Sequence, residues 1–330
     1  MTILICTTST LRDPGVDLVV AAIAARGGRA FRFETDLFPT DASIRVRLGD
    51  RQVRRLTSPA GELDLDEVSA VWVREIGSGK HLPDELEPSH REAARVESEA
   101  MVWGLLECLD VFQLDPAVRL QAVPGKPVQL QRARALGLDV PRTLVTNEPR
   151  AVRDFAAACP AGIIAKMVHG AHVQSADGEE PIYTRLLEPE ELAELEGLEL
   201  APMIFQERVP KALELRLTIV GSRVFAAAID SQQSELGAVD WRADPALVRG
   251  FRPYDELPAD VEGKLLRLLD SCGLNFATID VIVTPDGRYV FLEFNPSRSY
   301  FGFIEQATGL PISGAVADLL LGRVPPRVRE

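Results

Sequence analysis

The chain has 330 residues, enough to bury a substantial core and to form two or three structural units. Its apolar and charged fractions, 46% and 26%, are those of an ordinary globular protein, and its net charge of −13 argues against a general nucleic-acid binder, which needs a basic surface. No run approaches the ~18 apolar residues of a membrane span, and the N-terminus lacks the basic start and long apolar stretch of a signal peptide. Cys6, Cys108, Cys159 and Cys272 are widely spaced and read as free thiols of a reducing compartment. The expectation is a cytoplasmic protein with neither a nucleic-acid nor a membrane partner.

Thr2–Cys6 reads as a short buried strand, Asp17–Arg26 as a helix closed by Gly27-Gly28, and Ala30–Glu34 as a second strand. The chain therefore opens as a βαβ unit. Arg45–Leu48 and Val53–Leu56 suggest a small hairpin, and Ala70–Arg74 a further strand. Pro88–Leu109 suggests a long helix with Val102, Leu105, Leu106 and Leu109 on its apolar side. Two echoes of a phosphate loop fail. Thr7-Thr8-Ser9-Thr10 lacks glycine, and Gly77-Ser78-Gly79-Lys80 has Arg74 where the upstream glycine belongs. No Gly-x-Gly-x-x-Gly follows the first strand, which disfavours a dehydrogenase. Asp115-Pro116 ends this unit, and three domains are expected at 1–118, 119–201 and 202–330.

Pro127–Leu136 reads as a helix, and Ile163-Ile164-Ala165-Lys166 as an apolar strand ending in a cation. A buried stem delivering an ammonium needs an anion, so Lys166 is a candidate phosphate ligand. Residues 168–172 contain Gly170 and suit a cover that approaches a ligand closely. The His169/His172 spacing, with no His or Cys cluster beside it, is too thin for zinc. The acidic stretch Asp177–Leu200 holds a strand at Pro181–Arg185 and an amphipathic helix at Glu188–Glu196, and reads as a solvated face. Met203–Val209 is a strand. In Ala212–Gly221, Leu213, Leu215, Leu217 and Ile219 face the core while Glu214, Arg216 and Thr218 share the other side. That side is either a ligand cleft or a salt-bridged solvated face. Val224–Ile229 pairs back, and the loop Asp230–Ala243 carries Asp240-Trp241-Arg242, a triplet hard to place in a core. Val261–Cys272 and Ser313–Leu321 are helices.

Thr278–Val283 and Tyr289–Pro296 flank Thr284-Pro285-Asp286-Gly287, which marks an antiparallel hairpin. A four-residue turn pairs Val283 with Arg288 and Asp280 with Phe291. Val290, Leu292 and Phe294 then join Ile279, Val281 and Val283 on the apolar face, and Asp280 lies diagonal to Glu293, with Asn295 on the same side. Three oxygen donors, Asp280, Glu293 and Asn295, suit Mg²⁺ held against a nucleotide phosphate.

Asp280 followed by Phe291-Leu292-Glu293-Phe294-Asn295-Pro296 resembles the metal-binding end of ATP-grasp ligases. The continuation Phe303–Ile312 is similar to the ATP-grasp peptide macrocyclases that make microviridin- and plesiocin-type graspetides. The resemblance runs over nearly the whole chain. It differs at Asn295-Pro296-Ser297-Arg298-Ser299-Tyr300, where the microviridin enzymes carry Gly and Trp. It implies an α/β (α+β) ATP-grasp fold with an N-terminal pre-ATP-grasp βαβ domain, a small central domain and a C-terminal antiparallel sheet. Gly125-Lys126, Gly137 and Pro141-Arg142-Thr143 match the entry to the ATP-grasp core, which gives Lys126 a phosphate contact. Gln206, Glu207 and Val209 match the adenine-reading hinge, Glu214 the ribose acceptor, and Arg216 a ligand for phosphate or acyl phosphate. Arg242 is a second anion-stabilising candidate and Asp240 a candidate base.

The implied activity is ATP- and Mg²⁺-dependent macrocyclisation. An Asp or Glu side chain of a ribosomal precursor peptide is phosphorylated and joined to a Thr or Ser hydroxyl, or to a Lys amine. The implied partners are that peptide, whose leader docks on the central domain, and a second copy of the chain in a homodimer. Two alternatives stand beside it: a ligase of the glutathione synthetase or ribosomal-protein glutamyl ligase kind, and a nucleotide-binding module without catalysis.

Overall fold

The computed structural model describes residues 1–10, 13–49, 52–168, 172–175, 178–297 and 300–328, with 172–175 and 178–181 described by their backbone course. Of the expected phosphate cover at 168–172 and the His169/His172 pair, residues 169–171 lie outside the described residues.

The first unit is a parallel sheet of β1 (Thr2–Thr7), β2 (Arg29–Glu34), β6 (Val68–Val73) and β7 (Phe112–Leu114), in the order β2-β1-β6-β7. Burial on both faces explains the unbroken apolar run Ile3–Cys6. Ile3 and Ile5 meet α1 (Gly15–Ala25), whereas Leu4 and Cys6 meet α2 (Pro88–Glu107). Glu87 caps α2 by accepting from the backbone N–H of Ser89 and His90. Between β2 and β6 lies a three-stranded meander, β3 (Ser43–Arg47), β4 (Val53–Ser58) and β5 (Gly61–Asp64). The third strand escaped the sequence reading because Leu63 is its one apolar residue. Asp115, after β7, is buried and accepts from the N–H groups of Asn275 and Phe276 at 2.9–3.0 Å, tying this unit to the last third of the chain. Burial pushes its carboxyl up to about 6.

After the short helix α3 (Ala117–Gln121) and α4 (Lys126–Ala135), a second sheet forms from β8 (Thr143–Thr146), β9 (Ile163–Met167), β12 (Arg185–Leu186) and β13 (Met203–Glu207), with α5 (Pro149–Ala157) packed on it. A two-stranded ribbon, β10 (His172–Ser175) and β11 (Gly178–Pro181), precedes β12, and α6 (Pro189–Ala193) follows it. The chain then crosses through 208–212 into an antiparallel sheet of β14 (Leu213–Val220), β15 (Arg223–Ile229), β16 (Arg252–Pro253), β17 (Phe276–Val283) and β18 (Tyr289–Asn295). Its apolar face packs on α7 (Ala259–Asp270) and α4 through Leu215, Leu217, Ile279, Leu265 and Leu130. Two closing helices, α8 (Phe301–Thr308) and α9 (Ile312–Leu320), pack against α1. Among the described residues, no helix is long and apolar enough to cross a membrane.

The hairpin register differs from the expectation. Val283 pairs with Tyr289 and Val281 with Phe291, but Asp280 pairs with Glu293, because the ladder shifts between Asp280 and Val281. The shift is a β-bulge that leaves Leu292 extra in β18. Phe291 and Phe294, rather than Val290 and Leu292, therefore join Ile279, Val281 and Val283 in the core. Asp280 and Glu293 lie directly opposite each other instead of diagonally.

Candidate active site

The two antiparallel sheets face each other across a cavity of about 470 Å³. From the central sheet come Ile164 and Lys166 on β9 and Gln206 and Glu207 on β13; the crossing supplies Arg208, Val209 and Lys211. From the larger sheet come Glu214 on β14, Asp280 and Ile282 on β17, and Leu292 and Glu293 on β18. Lys126 at the start of α4 and Asp240, Trp241 and Arg242 close the sides. The cavity thus gathers ten of the twelve residues singled out from the sequence. The other two touch its walls. Arg216 bonds both carboxylate oxygens of Asp280 at 2.7 Å, and Asn295 donates to Glu293 at 3.3 Å.

Strand alternation sets this arrangement. Arg216 on β14 is in register with Asp280 on β17, and Asp280 with Glu293 on β18, so three charged residues stand in a row across adjacent strands. Glu293 receives the Lys126 ammonium at 3.1 Å, with the two side chains 26% and 13% exposed. Burial pushes the Glu293 carboxyl up, but Lys126, Lys166 and Arg242 outweigh it and hold it below the ordinary range. Burial pushes the half-buried Lys166 ammonium down, Glu293 opposing and Lys126 reinforcing that shift. An added anion would relieve the repulsion among Lys126, Lys166 and Arg242.

Asp240 is buried and accepts from Arg242 Nε and Nη2 at 2.8 and 2.6 Å, and from the Thr184 N–H at 3.2 Å. Burial raises its carboxyl, but the Arg242 hydrogen bonds and charge bring it down to about 2. That state suits a group that aims Arg242, and it is a poor fit to the base expected of Asp240. On the hinge, Gln206 donates to Thr143 at 3.0 Å and Glu207 accepts from the Arg142 N–H at 2.9 Å.

The donor set of Asp280, Glu293 and Asn295 fits a hard divalent cation. Two carboxylates face each other across one strand pair and an amide adjoins one of them, with all donors oxygen. Among the described residues, no group of three His, Cys, Asp or Glu side chains forms a competing metal cluster. The sequence reading missed Lys211, which bonds Glu214, and the apolar lining of Ile282, Leu292 and Trp241. A lysine three residues before a cleft-facing glutamate was the available signal. Nothing in the sequence marked the bulge that turns Leu292 to the cavity.

Two facing antiparallel sheets, with Lys166 from one and Glu214, Asp280 and Glu293 from the other, define an ATP-grasp ligase. The comparisons agree. Residues 2–121 match the MvdD pre-ATP grasp domain family. The crystal structure of macrocyclase MdnC bound with precursor peptide MdnA, from Microcystis aeruginosa MRC, is 40% identical with a TM-score of 0.88, covering 98% of this chain and 100% of that one. A RiPP-associated ATP-grasp ligase of Chryseobacterium gregarium, in complex with ADP and a leader and core peptide, is 33% identical with a TM-score of 0.90 over 99% and 98% of the two chains. A curated relative, beta-citrylglutamate synthase B of Danio rerio, is 28% identical over 130 residues, which is 39% of this chain and only 31% of that protein's length. The chain belongs to the RiPP-associated ATP-grasp macrocyclase family, and it is an ATP-dependent ligase.

Proposed function

We propose that this enzyme uses ATP and Mg²⁺ to phosphorylate Asp or Glu side chains of a ribosomal precursor peptide and closes each onto a Thr or Ser hydroxyl or a Lys amine. The observation that carries this reading is the convergence of Lys126, Lys166 and Arg242 on Glu293 beside the Asp280–Arg216 pair, all around one cavity.

The residues divide by chemistry. Gln206, Glu207 and Val209 hold the adenine edge and Glu214 the ribose hydroxyls. Lys126 and Lys166 meet the phosphate chain. Asp280, Glu293 and Asn295 would hold Mg²⁺, which when bound neutralises phosphate charge and aligns the terminal phosphoryl group. The peptide carboxylate attacks the γ-phosphorus, the bond to the β–γ bridging oxygen breaks, and ADP leaves. Negative charge gathers on the phosphoryl oxygens, where Lys166, Arg216 and Arg242 stabilise it. The hydroxyl oxygen then attacks the acyl carbon, the bond from that carbon to the phosphoryl oxygen breaks, and phosphate departs with the hydroxyl proton. Asp240 keeps Arg242 aimed at this charge. Apolar Ile282, Leu292 and Trp241 restrict water that would hydrolyse the acyl phosphate.

The partition at 118 and 201 and a homodimeric assembly belong to the same reading. The partition is supported by the three large sheets, formed by strands within 2–114, 143–207 and 213–295. The ribbon of β10 and β11 with α6 is the leader-docking element in this reading. Incubation of candidate precursor peptides with ATP and Mg²⁺, followed by mass spectrometry, should show loss of one water per ring. ADP release with no loss of water from the peptide would sink the proposal and favour transfer to an external acceptor.

A further inference from the structure

We propose that Lys211 is the specificity-determining residue by which the cavity distinguishes a ribonucleotide from a 2′-deoxyribonucleotide, acting as a positioning residue through Glu214. The proposal rests on the reading of Glu214 as the ribose acceptor. Lys211 lies in the crossing between the two sheets, just after Pro210, and lines the cavity beside Glu214. Its ammonium bonds Glu214 Oε1 at 2.9 Å and the Val239 carbonyl oxygen at 2.8 Å, and both members of the ion pair are 11% exposed.

Each contact has a consequence for ribose recognition. Two ribose hydroxyls that both donate need a carboxylate, which only accepts; a protonated carboxyl turns one oxygen into a donor. Burial pushes Glu214 toward that protonated form, and the negative charge of Asp280 pushes the same way. Lys211 opposes both, helped by a hydrogen bond from Ser231. The balance leaves the Glu214 carboxyl above its ordinary value, and what Lys211 supplies is position: its direct bond to Oε1 fixes the carboxyl where it can accept from the hydroxyls. Its second bond reaches Val239, adjacent to Asp240, while Ser231 stands near the start of the same loop. The loop that leads to Asp240 and Arg242 is thus tied to the Lys211–Glu214 pair near its start and just before Asp240.

The test is calorimetric binding of ADP and 2′-deoxy-ADP, with Mg²⁺ present, to the full chain. The wild type should bind ADP about tenfold more tightly, the scale of one hydrogen bond to a charged group. Lys211→Met should bring the ratio within about twofold of one while leaving 2′-deoxy-ADP affinity within about threefold. Lys211→Gln serves as a second neutral variant should the first fail to fold, and Lys211→Arg should retain discrimination. A wild-type ratio in the neutral variants would overturn the proposal. So would an equal loss of both nucleotides, the mark of a structural ion pair. Wild-type binding of both nucleotides with equal affinity sinks this inference alone, whereas no binding of ADP at all removes the nucleotide reading beneath it.

Discussion

Among the described residues, a buried ion pair of the first unit contrasts with the pairs that face the cavity. In the first unit Asp13 and Arg74 pair at 3.1 Å with both side chains fully sealed from solvent. Arg74 also donates to the Ser297 carbonyl and lies over the Phe301 ring. In the cleft, Lys126–Glu293 and Arg216–Asp280 have similar lengths but keep part of their surface open, and three cations compete for Glu293. A sealed pair with one dominant partner holds elements together. A pair that is partly open and oversupplied with one sign of charge can exchange its partner for a ligand.

The contrast is open to test, beginning where the largest change is expected. Lys166→Ala and Glu293→Gln should each lower peptide-dependent ADP release by about 1,000-fold, with folding unaffected by circular dichroism. Turnover at the wild-type rate would remove those residues from the site. Arg74→Met should act the other way round, costing about 3–5 kcal/mol in urea unfolding because Asp13 is left buried without its counter-ion. ADP affinity of the folded variant should stay within about threefold.

Asp240 is intermediate, since it serves the site and the fold. Its carboxyl is held at about 2, below the ordinary value. The associated stability is therefore present above about pH 4 and is lost as pH falls toward 2. Asp240→Asn should be about 2 kcal/mol less stable at pH 7, the gap closing with acidification; a gap independent of pH would show that the ion pair is not its source. The smallest effect is expected at Asn295, the neutral donor. Asn295→Ala should raise the Mg²⁺ concentration for half-maximal activity about tenfold and leave that for ATP unchanged.

Much of the site was legible because strand alternation and strand ends are local signals. Glu214 and Arg216 fall on the polar side of β14 and Lys166 at the end of an apolar run, and the structure puts all three at the cavity or its wall. The Arg216–Asp280 pair exists, as the salt-bridge alternative had it, but against a cavity rather than open solvent. What stayed hidden depends on long-range geometry. Lys211 has no periodicity to advertise it, and Asp13 meets Arg74 only once β1 and β6 lie side by side. The expectation of an adenine hinge at Gln206, Glu207 and Val209 rests on family likeness alone, since backbone recognition leaves little trace in side chains.

The extra residue in β18 sets which residue of that strand stands opposite Asp280. Deleting Leu292 would leave Phe291 opposite Val281 and Glu293 opposite Asp280 in an unbroken ladder, so Glu293 would keep its face while the apolar wall of the cavity and the local twist of the bulge were lost. A one-residue deletion there should thus be far less harmful than the deletion of a paired residue of β18, which would turn part of the strand to the opposite face. Sequences lined up on this hairpin as if it were regular would set Leu292 rather than Glu293 opposite Asp280.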